Sequence, residues 1–312
     1  MHAAVVTSFS APPRFAEVAE PIASREGEEV VEVLAAALYP LVRSKANGSH
    51  YTSTRDLPLV PGMDAVVRDA QGQLRYAVLD DTVLGTMAER TVIDMDRSVV
   101  LPEHVDPIAV AAGMNPVMSS WVALRRRIDP QPARRILVLG ATGNAGRMAV
   151  QVAKRFGASQ VIAAGRNQAL LNELSALGAD VTTTLDELAV AADVDIVLDY
   201  LWGEPTVSAL RAMIPQRTAR SAPLTWIQIG SVAGQDAAIP SAALRSTQLQ
   251  FLGSGMGSVA GHVFAEELPA IAQAITDGEF DIRTRVVPLA EVETAWAQSE
   301  TGSAAERIVF VP

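Results

Sequence analysis

Gly140, Gly143 and Gly146 stand three residues apart, behind the apolar run Ile136 to Leu139 and ahead of a segment whose Ala145, Met148, Ala149, Val152 and Ala153 share one helical face. Residues of this type at this spacing can hold the pyrophosphate of a dinucleotide. Without a Cβ, glycine lets the chain turn tightly after the strand, lets a phosphate approach the backbone and lets the following helix pack close. The helix start then offers the anion N–H groups that have no intrahelical partner. Thr142, Asn144 and Ala145 lie inside this turn and join the three glycines as candidate phosphate contacts. The pattern is G-x-x-G-x-x-G and not the commoner G-x-G-x-x-G, so a purely structural strand-to-helix turn is the alternative. A second strand, Val161 to Ala164, follows the helix in the right order, and that favours nucleotide binding.

The second strand ends in Gly165, Arg166 and Asn167. In sites selective for NAD, an acidic residue about 20 positions beyond the glycines accepts a hydrogen bond from the ribose 2′-hydroxyl. Arg166 occupies that place, 20 residues after Gly146. A guanidinium accepts no hydrogen bond but pairs well with a 2′-phosphate, which favours NADPH over NADH. The alternative is a solvated arginine at a strand end.

The elements that must position these residues are those of a large α/β chain. With 312 residues the chain can bury a substantial core and build two domains. Hydrophobic residues make up 49% and charged residues 19%, the balance of a globular protein without a membrane phase. A net charge of −10 argues against nucleic acid as a partner, and Arg125 to Arg127, the one basic cluster, reads as an exposed helix end. There is no cysteine, so neither disulfide nor thiolate chemistry is available. No basic segment followed by an apolar core opens the chain and no run of 18 apolar residues occurs, so a cytoplasmic protein is expected.

Short strand candidates, Val30 to Leu34, Leu74 to Leu79 and Glu89 to Ile93, alternate with Gly, Pro and Asp turns and predict an irregular β-rich domain. Helical spacing returns at Pro107 to Ala112 and again from Met118 to Arg126. From Arg135 onward strands and helices alternate. Asp195 to Tyr200, Leu224 to Ile229 and Leu249 to Leu252 supply later strands, each ending in a short polar or glycine segment. In an open parallel sheet the ligand lies outside the carboxyl ends of the strands, so these segments should line it. A helix from about Val263 to Thr276 and a last strand, Arg307 to Val311, complete the chain.

With these elements placed, the sequence resembles the zinc-independent quinone oxidoreductases related to zeta-crystallin, in the medium-chain dehydrogenase/reductase superfamily. The motifs that carry the resemblance are Leu38-Tyr39-Pro40, Leu57 to Gly62, Gly85 to Glu89, Gly140 to Gly146, Gly230-Ser231 and Gly253 to Gly255. It implies a GroES-like β-rich catalytic domain, 1–113 with 258–312, and a Rossmann domain with a doubly wound parallel sheet, 114–257. It implies NADP(H) as cofactor and a small-molecule electron acceptor, a quinone or an activated alkene. Ser119, Gly230, Ser231, Val232, Gly253 and Ser254 are implied as cofactor contacts, with Tyr200 and Leu201 covering the adenosine or ribose. Leu249 to Leu252 would end the sheet as an uncovered edge, and a homodimer is expected to pair it. Four residues depart from the family pattern: Tyr39 stands where asparagine is usual, Val42 where aspartate commonly follows, Ala65 where glycine is frequent, and Ser119 where threonine is often found ahead of Ser120-Trp121.

Zinc is the other catalytic route in this superfamily. His2, His50, His104 and His262 are scattered, without ligand spacing, so no metal site is assigned. His50 with Glu89 is the nearest approach to one; an isolated surface histidine is the alternative. Without metal, hydride transfer builds negative charge on the acceptor oxygen, and donors must meet it there. By resemblance Tyr39, Arg43, His50 and Tyr51 face the nicotinamide. Tyr39 or Tyr51 would donate to the oxyanion and Arg43 or His50 assist, with packing or surface roles as the alternative. Reduction of 2-enoyl thioesters and non-catalytic NADPH sensing are the competing functions.

Overall fold

The computed structural model describes residues 1–50, 52–79, 82–129, 133–301 and 306–312, with the backbone alone for 300 and 301. Contacts divide the chain into two units, Met1–Met114 with Ala265–Pro312, and Asn115–Phe264. Both junctions fall inside helices, so the second comes seven residues later than the break expected after 257.

Strand-forming sequence opens the first unit: β1 (His2–Val5) pairs antiparallel with β2 (Arg14–Glu17). In β3 (Glu28–Leu38) burial alternates at Val31, Glu32 and Val33, then covers both faces from Ala35 to Leu38. Proline at the first position starts α1 (Pro40–Ala46), a helix the periodicity did not predict. Four further strands follow, β4 (Asp64–Arg68), β5 (Leu74–Val78), β6 (Arg90–Asp94) and β7 (Ser98–Val100). The two helical segments expected near 107 and 118 are one helix, α2 (Pro107–Arg126), which continues through Pro116. The lost hydrogen bond of an internal proline is tolerated because Val110, Met114, Val117, Trp121 and Val122 are buried, and packing outweighs propensity. By length and composition α2 could cross a bilayer, but 67% of its apolar window lies inside the protein.

The second unit alternates strand and helix: β8 (Arg135–Leu139), α3 (Asn144–Arg155), β9 (Gln160–Gly165), α4 (Gln168–Leu174), β10 (Val181–Thr184), β11 (Ile196–Asp199), α5 (Gly203–Met213), β12 (Leu224–Gln228), α6 (Ser241–Ser246) and β13 (Leu249–Gly253). All six strands run parallel in the order β10-β9-β8-β11-β12-β13, the doubly wound sheet expected from the sequence. Leu137, Ile162, Val197 and Trp226 are fully buried within it. Such a sheet needs cover on both faces, which is why its strands read as continuous apolar runs.

The chain closes with α7 (Gly261–Thr276), β14 (Thr284–Pro288), α8 (Val292–Thr301) and β15 (Arg307–Val311). β15 pairs antiparallel with β3 and parallel with β14. The final residues thus join the sheet built on β3, in the order β14-β15-β3-β4-β5-β7 with β6 also on β3, while β1 and β2 form a sheet of their own.

Candidate functional site

Register places Ala164, Leu139, Asp199, Gln228 and Gly253 in one row across the parallel sheet, so five carboxyl ends open on the same edge. The turn after β8 is fixed first. Gly140 has φ +86°, and both its N–H and that of Ala141 donate to Ala164 O, at 3.0 and 2.9 Å. A Cβ on Gly146 would lie 2.2 Å from Gly140 O and 2.6 Å from Ala141 Cα, so the fold itself demands glycine there. Gly143 is different. Its φ is −80°, and a Cβ would meet only Gly140 O at 3.5 Å, an ordinary contact. This glycine leaves open space at the start of α3, where no side chain caps the helix. A cradle that a Cβ would partly fill, at an uncapped helix start, fits a phosphate.

Thr142 packs on the end of the second strand, with its methyl 2.7 Å from where a Gly165 Cβ would stand. Next comes Arg166, exposed and without a hydrogen-bond or ion-pair partner among the described residues. Asn167 is used by the fold: its Oδ1 accepts from Leu170 N (3.2 Å) and caps α4. Arg147, which sequence patterning left out of the helix core, is buried at 1% exposure with Nη1 3.4 Å from Glu173.

The turn after β11 depends on Asp199, which the sequence places at the end of a strand and the start of a ligand-lining segment without giving it a role of its own. Asp199 is wholly buried, and its Oδ1 accepts from the N–H groups of Leu201 (2.8 Å) and Trp202 (3.0 Å). Its Oδ2 accepts from Thr206 Oγ1 (2.6 Å) and Trp226 Nε1 (2.8 Å). Trp202 has φ +57° and ψ −168°, a conformation that costs a side-chain-bearing residue about 1–3 kcal/mol. The Leu201 side chain lies against Gly140, and Tyr200 O sits 2.8 Å from a would-be Cβ on Gly230. Tyr200 is buried, and its hydroxyl meets Ser119 Oγ at 3.0 Å. Because Ser119 gives its proton to Pro116 O (2.8 Å), Tyr200 is the donor in that pair. Burial pushes the Tyr200 phenol up to about 12, so it is neutral at physiological pH.

The last two loops are pinned by their backbones. Ala233 N–H donates to Leu201 O (2.9 Å), Gly234 N–H to Ser231 O (3.3 Å) and Ser254 N–H to Gln228 O (2.9 Å). Val232 is 69% exposed, an apolar side chain held out from the loop. Arg127, expected at an exposed helix end, instead donates to Gly253 O (2.8 Å) and Ser258 O (3.2 Å). Thus Gly140 to Gly146, Gly165 to Asn167, Tyr200 and Leu201, Gly230 to Val232, and Gly253 and Ser254 all lie at one edge of one sheet.

The residues expected to act on the acceptor fare differently. Tyr39 is 5% exposed and its hydroxyl donates to Asp64 Oδ1 (2.8 Å), so it is not the free donor the sequence suggested. Tyr76 donates to the other Asp64 oxygen, and the Arg307 guanidinium lies 5.2 Å from the centre of the Tyr39 ring. Burial raises the pKa of both phenols and of Asp64, and lowers that of Arg307 to about 10. Tyr39 is here the residue before α1, locked in a buried polar quartet. Arg43 likewise donates to Ser299 O and Oγ, tying α1 to α8. His50 Nδ1 accepts from Thr52 N (3.2 Å), and burial and then Lys45 lower its pKa, so it is neutral. Glu89 pairs with His2, not with His50. Tyr51 lies outside the described residues.

No protein-family profile matches the chain. It is 29% identical to the probable NADPH-dependent quinone reductase tdiC of Emericella nidulans over the whole length of both chains. Over half of its length it is 29% identical to an NADPH-dependent alkenal/one oxidoreductase of Arabidopsis thaliana, covering 44% of that protein. Its structure superposes on the quinone oxidoreductase of Thermus thermophilus, solved also in complex with NADPH, with a TM-score of 0.84 and 26% identity over both full chains.

Proposed function

We infer that this chain, which belongs to the quinone oxidoreductase family of the medium-chain dehydrogenase/reductase superfamily, is an oxidoreductase that uses NADPH to reduce a quinone or an activated alkene. The observation that carries this reading is Arg166, an exposed and unpartnered guanidinium at the end of β9, with the phosphate turn packed against the same strand end through Thr142 and Gly165. The start of α3 with Gly143 would hold the pyrophosphate, and Arg166 would form paired hydrogen bonds with the 2′-phosphate. Ser231, Gly253 and Ser254 would line the nicotinamide, and the exposed Val232 would offer it an apolar contact. When bound, NADPH supplies a hydride. The protein's part is to fix the cofactor through loops whose own hydrogen bonds are already satisfied, so that little is left to order on binding.

We assign the reaction no zinc, because the chain has no cysteine and His2 and His50 are engaged elsewhere. We further propose a homodimer joined through β13. Among the described residues that strand pairs with β12 alone, and its other edge would take a two-fold partner. Light scattering at micromolar concentration should give twice the chain mass, and a monomer overturns the proposal.

NADPH oxidation against quinones, enones and enoyl thioesters tests the function. Turnover is expected with quinones or enones and should survive dialysis against a strong chelator. Tight NADPH binding without turnover on any acceptor would instead favour a sensor. Arg166→Asp should weaken NADPH binding by about tenfold to a hundredfold, about 1.4–2.8 kcal/mol, and NADH binding far less. Equal losses for both coenzymes would show that Arg166 does not read the 2′-phosphate.

A further inference from the structure

We propose that Asp199 is a positioning residue for NADPH: its buried carboxylate holds the turn at residues 200–203 in a backbone conformation that the turn would not keep alone, and thereby sets the surface on which the cofactor lies. The inference rests on the NADPH reading above and adds to it a residue that contacts no cofactor atom.

Three observations converge. First, Asp199 receives hydrogen bonds from all sides: Oδ1 takes the successive N–H groups of Leu201 and Trp202, Oδ2 takes Thr206 and Trp226, and its backbone O takes Ile229 N (2.8 Å) and Gly230 N (3.1 Å). One residue therefore anchors the ends of both β11 and β12. Second, the strain lies inside the span that Asp199 clamps. Trp202 carries φ +57° with a large side chain, and Gly203 follows at φ +63°. Two N–H groups pointing at one oxygen select this conformation against the extended or helical ones that tryptophan prefers. Third, the clamped turn touches both neighbouring loops. Leu201 bears on Gly140 of the phosphate turn, Tyr200 O closes on Gly230, and Gly203 lies 3.0 Å from the place of a Gly234 Cβ. Releasing the turn would displace contacts on either side of it. A carboxylate that served only the core would need its Thr206 and Trp226 bonds and not the pair to the turn.

The two pairs of bonds can be separated. Asp199→Asn keeps the shape of the side chain but sets an NH₂ against N–H donors, while Thr206→Val removes a bond from Oδ2 and leaves the turn held. Both should lower the melting temperature. NADPH dissociation constants are then measured by nicotinamide fluorescence well below each melting point. Asp199→Asn should bind NADPH about tenfold to a hundredfold more weakly, the scale of one or two mismatched buried hydrogen bonds, and Thr206→Val should stay within about threefold of wild type. Trp202→Gly gives a second test that does not depend on Asp199→Asn folding, because glycine adopts positive φ without help. Added to Asp199→Asn, and compared with Trp202→Gly alone so that the missing indole is common to both, it should restore most of what Asp199→Asn lost. Equal effects of Asp199→Asn and Thr206→Val on affinity, or an Asp199→Asn loss that persists undiminished in the Trp202→Gly background, would overturn the proposal. Wild-type protein that fails to bind NADPH would defeat the functional reading itself; wild type that binds while Asp199→Asn binds equally well would defeat this inference alone.

Discussion

Asp64→Ala should lower the free energy of unfolding by about 3–5 kcal/mol, the scale seen when one partner of a buried charged cluster is removed. Asp64 is 4% exposed, and its two oxygens accept the hydroxyls of Tyr39 and Tyr76. Arg307, also 4% exposed, lies over the Tyr39 ring, with Nη1 3.4 Å from Leu38 O and its Nε without a partner among the described residues. Burial raises the pKa of Asp64 and lowers that of Arg307, so desolvation outweighs attraction for both groups. Deleting one member of such a buried cluster destabilises more than replacing the whole cluster by well-packed apolar side chains. Alanine at 64 would strand a buried guanidinium and two phenols. Urea denaturation measures the loss, and a change below about 1 kcal/mol would show that water or rearrangement satisfies the remaining groups. Tyr39→Phe is a milder cut and should cost about 0.5–1.5 kcal/mol while turnover stays near wild type. A large fall in kcat with stability unchanged would return Tyr39 to the role of donor to the acceptor oxygen.

A second large effect is expected at Gly146, and it should contrast with Gly143. In Gly146→Val the added carbons meet backbone atoms at 2.2 and 2.6 Å, which cannot yield by a rotamer change. The turn must open, so NADPH affinity should fall by more than about a hundredfold, with a stability loss of about 1–3 kcal/mol or more. In Gly143→Ala the fold has room, and stability should change by no more than about 1 kcal/mol, the difference between glycine and alanine before a helix. Yet NADPH binding should still weaken by about tenfold or more, because the methyl would occupy the phosphate's approach. Calorimetric titration with NADPH, paired with a thermal melt of each variant, separates the two cases. If Gly143→Ala binds as wild type does, the phosphate does not approach that glycine.

Much of the second unit was legible in the chain because its signals are local. The apolar run Ile136 to Leu139, the glycine spacing and the helical face from Ala145 to Ala153 all lie within 18 consecutive residues, and a buried parallel strand has no other way to read. Position 166 was legible for the same reason, since its distance from the glycines is set by the length of one helix and one strand. α2 reads in sequence as two helical segments and is one helix, because the burial that carries it through Pro116 is not visible along the chain.

The sequence by itself determined the doubly wound sheet, the glycine turn after β8 and the place of Arg166 at the end of the next strand, all of which follow from periodicity and spacing over short stretches. Only the tertiary structure decided which polar residues are spent inside the fold. Tyr39 finds Asp64 at a separation of 25 residues, Asp199 finds Trp226 at 27, and Arg307 reaches Leu38 across 269. No pattern along the chain marks such pairs, because none falls at a helical or strand repeat and each forms only once separate strands lie side by side. Tyr39 thus reads in sequence as a free phenol and Asp199 as the first residue of a ligand-lining segment, whereas burial commits the hydroxyl of the first to Asp64 and makes the second the anchor of the turn beside Gly140.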